Sequence, residues 1–118
     1  MLGNEKLTRE ELQLIRNKAK NLMDEIFGTS FFVVLEFHAT EGNNIFEELI
    51  YRPKYTYERI VAFFKNVYTI DSIIQIMDNK MYEKHGISGL ILDLVSVARN
   101  DDKDGVARAI KALLNYTR

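Results

Sequence analysis

Cysteine and tryptophan are absent from this 118-residue chain, and proline occurs once, at Pro53. Without cysteine there is no disulfide, no thiolate metal site and no thiol nucleophile. With only two histidines, His38 and His85, imidazole-based acid–base or nucleophilic chemistry has few possible members. An excess of one charge is also lacking. A net charge of −1 supplies no global field toward nucleic acid or an acidic membrane, and leaves room only for a local basic patch. The longest near-apolar run, GISGLILDLVSVA, is too short to span a bilayer and contains Asp93. The segment MLGNEKLTREEL is charged from its start and has no apolar signal region, so a soluble cytoplasmic protein without membrane contact is expected. No phosphate loop, dinucleotide fingerprint, H-E-x-x-H or G-x-S-x-G pattern is found. A non-enzymatic role without a cofactor is therefore expected.

What is present is the balance of an ordinary globular protein, 47% apolar and 28% charged residues. The length is close to the commonest domain size, and neither a repeat nor a low-complexity linker interrupts it, so residues 1–118 are read as a single domain. The segment LTREELQLIRNKAKNLMDEIFG opens like a helix. Thr8 followed by Glu11 makes a capping-box pattern, Leu12, Ile15, Ala19, Leu22 and Ile26 recur at spacings of three and four, and Gly28 is a natural stop.

The stretch SFFVVLEFHA is rich in Phe and Val, which suit a pleated, half-buried surface. With IFEELIYR beyond the turn-forming TEGNN, it predicts an antiparallel β-hairpin of Phe31–Ala39 and Ile45–Arg52, ended by Pro53. Helices are then expected over 57–68 with Thr56 as cap, from Asp71 to Gly86 with Ile73, Ile74, Met77 and Met81 inward, from Ser88 through an all-round apolar segment, and after NDDKDG with Val106, Ala107, Ile110, Leu113 and Leu114 inward. The fold class read from these signals is α+β: one helix, a hairpin, then four helices packed on it.

A two-stranded hairpin needs cover on its second face. Alternation places Phe32 and Val34 there, so these two are the expected interface of a homodimer. Glu36 and His38 share that face. A glutamate of the second strand, Glu48 or in the shifted register Glu47, lies opposite Glu36. Glu36, His38 and Glu48 are thus the candidate metal ligands, since opposed carboxylates need a cation or a proton between them. The competing reading is a mixed-charge face whose acids are paired by Lys or Arg of a neighbouring helix. In YRPKYTYER, cations alternate with tyrosines, which makes Arg52, Lys54, Tyr55 and Arg59 the candidate nucleic-acid contacts. The competing reading is a connection whose tyrosines edge the core. Asp93 reads as a helix-surface acid beside a contact and His85 as a helix-end cation. The reading favoured overall is a small intracellular interaction or regulatory module with an unidentified protein partner. Its rivals are a nucleic-acid-associated protein and a metal-binding protein or metalloenzyme.

Overall fold

The computed structural model describes residues 6–65 and 67–117, and among these it holds helices and no strand. Seven helices follow in order: α1 (Arg9–Phe27), α2 (Phe31–Thr40), α3 (Ile45–Tyr51), α4 (Pro53–Phe64), α5 (Val67–His85), α6 (Leu90–Arg99) and α7 (Lys103–Tyr116). The expected β-hairpin is absent. Its two arms are α2 and α3, and the TEGNN turn is a helix–helix connector in which Glu41 and Gly42 take positive φ.

The local physics of α1 is as its sequence suggests. The Thr8 hydroxyl accepts the Glu11 amide and the Glu11 carboxylate accepts the Thr8 amide, both at 3.0 Å. The chain leaves the helix at Gly28, at φ 114°, where a side chain would be strained. Ile15 and Leu22 are buried, and Leu12, Ala19 and Ile26 pack against the core.

In α2 the buried residues are Phe32, Leu35, Glu36, Ala39 and Thr40. That is the i, i+3, i+4, i+7 spacing of one helix face. The spacing is hidden in the sequence because Val33, Val34 and Phe37 make the opposite side apolar too, so no polar face marks the period. The hairpin loses to the helix for two reasons. A lone strand pair would leave its outer backbone groups unpaired, and α1 supplies what α2 needs as a helix. The Asp24 carboxylate accepts the Phe32 amide at 2.9 Å, which satisfies one of the free amides of the first turn. Asn44 caps α3 by accepting the Phe46 and Glu47 amides.

Pro53 does not terminate a strand. It occupies the first turn of α4, where its missing amide is no loss. Thr56 is therefore inside α4 and not its cap. It is buried, and its hydroxyl donates to the Glu48 carbonyl. Asp71 likewise lies within α5 rather than at its start. Lys65, at φ 74°, ends α4. The expected inward positions Val67 and Tyr68 lie outside the described side chains. The segment α6, expected to be buried nearly all round, exposes Leu92, Asp93, Ser96 and Arg99 and buries Leu94 and Ala98. In α7 all five expected core positions are buried, with Val106 and Ile110 fully so. One hydrophobic cluster draws side chains from every helix, with Ile15, Phe32, Ile45, Met81, Leu94 and Ile110 among its buried members.

Candidate functional site

The helical α2 separates the residues that a strand would have aligned. Glu36 is buried, 5% exposed, and is held by Arg16 of α1, whose Nε donates to its two oxygens at 3.0 and 2.8 Å while Nη2 donates to Oε1. The bidentate pair holds the Arg16 guanidinium pKa above its ordinary value, the hydrogen bond from Glu36 being the main cause. Glu36 Oε2 also accepts the Ile45 amide at 3.1 Å, so one carboxylate ties α1, α2 and the start of α3 together. His38 is exposed, with its ring 5.3 Å from that of Phe63. Glu48 pairs with Arg52 one turn away, at 2.7 Å. The structure does not bring Glu36, His38 and Glu48 together, and no group of three or more His, Asp or Glu suited to a metal occurs among the described residues. The acid is paired by an arginine of a neighbouring helix, inside the protein and not on a solvated face. Nor is any buried side-chain N or O among the described residues left without a partner that could invite a ligand.

The two expected interface residues also part company. Phe32 is 1% exposed and belongs to the core, whereas Val34 is 55% exposed. The reason is the period: on a helix, positions two apart face different ways. Val34 is joined outside by Val33 and Phe37, the latter 65% exposed, and the three side chains fall within little more than one turn. The only ionisable side chains of α2 are Glu36, turned inward onto Arg16, and His38, beside Phe63. The outward face of α2 is therefore apolar up to its last turn, where the exposed His38 follows Val34 at a spacing of four, and it carries no carboxylate.

The basic and aromatic residues of the α3–α4 junction are gathered. Tyr51, Arg52, Pro53, Lys54 and Tyr55 line a shallow surface recess with Lys103 of α7, and Glu58 and Asp101 complete it. The Arg52 guanidinium lies 4.7 Å from the Tyr55 ring centre and the Lys103 ammonium 5.7 Å from that of Tyr51. Arg52 is held above its ordinary pKa, chiefly by its hydrogen bond to Glu48. Arg59, the fourth candidate, lies outside the recess but touches Tyr55, donating to its hydroxyl at 3.2 Å with the guanidinium 5.6 Å from its ring centre. It also donates to the carbonyls of His38 and Ala39 at 2.8 and 3.1 Å and so closes the C-terminal end of α2.

A further feature has no counterpart in any sequence pattern. Beneath α5 lies a partly open cavity of ≈ 320 Å³. Its walls are apolar, with Ile73, Ile74 and Met77 of α5 facing Leu22 of α1, Phe64 of α4 and Leu94 of α6. Natural interiors leave few voids larger than a water molecule. Met77 and Met81, expected as core residues, are both part of this wall.

Comparison of the chain with protein-family models, with curated proteins and with solved structures finds no match to any of the three. No helix among the described residues is long and apolar enough to cross a membrane.

Proposed function

We propose that this chain is a cytoplasmic, non-catalytic interaction module that pairs with a second copy of itself through the outward face of α2. The observation that carries this reading is the contiguous exposure of Val33, Val34 and Phe37 on one short helix. Three large apolar side chains side by side on a helix cost solvation free energy in isolation, and regain it when covered. The same face meets itself across a two-fold axis without opposed carboxylates, because Glu36 is withdrawn onto Arg16. Two such helices pack by setting Phe37 of one between the valines of the other. Sedimentation or light scattering at micromolar concentration tests the proposal. The expected result is a dimer that Phe37→Glu converts to a monomer with unchanged helical circular dichroism. A monomeric wild-type protein at that concentration would sink it.

A second reading is favoured by a separate observation, the recess where Tyr51, Arg52, Lys54, Tyr55 and Lys103 converge. Exposed tyrosines beside cations form the kind of platform on which unpaired bases stack while phosphates are neutralised. In this reading the chain binds single-stranded nucleic acid weakly. The expected outcome is a shift of a labelled oligonucleotide at low salt that fades as salt rises, and that Tyr51→Ala with Lys103→Ala abolishes. No shift at low salt dismisses it.

A further inference from the structure

We infer that the cavity beneath α5 is a binding site for a small amphiphile with an aliphatic chain and an anionic head, of the fatty-acid class. Volume, lining and rim each point to this chemistry. The cavity, at ≈ 320 Å³, falls within the range of about 300–1,000 Å³ usual for ligand sites. It is roughly twice an apolar void of about 150 Å³ that stays dry and takes up benzene, so its occupant is longer than a single ring. The interior wall is built of aliphatic, methionine and aromatic side chains. It offers dispersion contacts to a chain along its length, and the unbranched methionines Met77 and Met81 adapt to the chain's shape.

The polar groups of the lining are not scattered through it. Lys18 and Asn21 lie on one ridge of α1, Lys84 and His85 close the C-terminal end of α5, and Thr117 follows the end of α7. Lys84 reaches α1, pairing with Glu25 at 2.7 Å, and Lys18 reaches past α7 to the Thr117 carbonyl at 2.8 Å. These contacts place the polar groups along one ridge of α1, with the end of α7 at Lys18 in its middle and the end of α5 at Glu25 near its C-terminus, about 10 Å apart at 1.5 Å per residue, and with Asn21, Lys84 and His85 exposed. An ammonium has three hydrogens to donate, and each of these two contacts occupies one. A carboxylate at the rim therefore meets donors of opposite charge without displacing Glu25 or the Thr117 carbonyl. A neutral apolar ligand gains nothing from those ammonium groups.

Titration of the full chain with the fluorescent fatty acid cis-parinaric acid, below its micelle concentration, tests the inference. Saturable binding is expected, displaced by dodecanoate and more weakly by dodecanol. Ala19→Phe puts a ring into the cavity from α1 and is expected to weaken binding at least tenfold, roughly 1.4 kcal/mol, with helical content retained. Phe37→Glu, on the outer face of α2, is expected to leave binding unchanged. This control separates the cavity from the exposed apolar face and from the proposed self-association. Should Ala19→Phe fail to fold, Lys84→Gln decides: it is expected to weaken dodecanoate several-fold and to leave dodecanol as it was. The inference is overturned by the absence of saturable binding to the folded wild type, by binding lost in Phe37→Glu and kept in Ala19→Phe, or by equal effects of Lys84→Gln on acid and alcohol.

Discussion

Helices α7 and α2 are both amphipathic in their contacts, yet they are secured in opposite ways. α7 carries its own instructions. Asp102 accepts the Gly105 amide at 2.9 Å as its cap, Asp104 lies in its positive first turn, and one apolar stripe from Val106 to Leu114 is buried. α2 has no side-chain cap of its own and is apolar on both sides. Its first turn is capped by Asp24, its only carboxylate is neutralised by Arg16, and its last carbonyls are closed by Arg59. One helix is specified by its own residues. The other is specified by its neighbours, and its uncovered side is then free to face a partner.

This contrast can be broken or sharpened by mutation. The largest effect is expected in α7: Ile110→Ala, at a fully buried position, should cost about 2–5 kcal/mol in urea unfolding. Next comes Arg16→Leu, which leaves the Glu36 carboxylate buried without its cation. Because Arg16 is itself partly exposed, a loss of about 2–4 kcal/mol is expected, toward the lower part of what breaking a buried pair costs. A variant as stable as wild type would show that α2 does not depend on α1. Asp102→Ala should cost about 1 kcal/mol, the ordinary value of a lost N-cap.

A weaker effect, visible through pH, is expected of Asp24. The Phe32 amide, and then Lys20, hold its carboxyl below the ordinary carboxylate range. The unfolded chain therefore takes up this proton first. Its contribution is complete above that range and is lost as pH falls through the lowered value. Asp24→Asn should flatten the acid limb of the stability profile, and an unchanged limb would deny the Asp24 contact a share in it. The smallest effect on the stability of the single chain, within about 0.5 kcal/mol as for other surface changes, is expected of Phe37→Glu, which under the proposed self-association acts chiefly on molecular mass.

The readable parts of the chain are those where one face is polar. Thr8 and Glu11, the α1 stripe and the five inward positions of α7 follow from spacing and capping alone, because water on one side forces the period into the sequence. Phe31 to Thr40 was not readable in this way. With both faces apolar, β propensity and helical spacing compete on equal terms, and Phe and Val tip the local balance toward a strand. The candidate residues shared that fate. Glu36 was visible as an anomaly in an apolar run, and a neighbouring arginine was foreseen as a possible partner, but which of the chain's sixteen Lys and Arg residues would reach it was not. Val33 and Phe37 were assigned to no interface because alternation set them opposite Val34. The cavity gave no signal, since a void is a property of how helices meet and not of any one of them.

The sequence by itself determined the class of chemistry open to this protein and the helices that carry their own caps and stripes. Cysteine, a cluster of histidines and a strong net charge are simply not there to be used. Only the tertiary structure decided that SFFVVLEFHA is a helix, that Phe32 enters the core while Val34 stays outside, and that a space remains beneath α5. The physical reason is the same in each case. Local preference differs between helix and strand by less than about 1 kcal/mol per residue, whereas one carboxylate taken out of water has to be met by Arg16, at a cost several times larger if it is not.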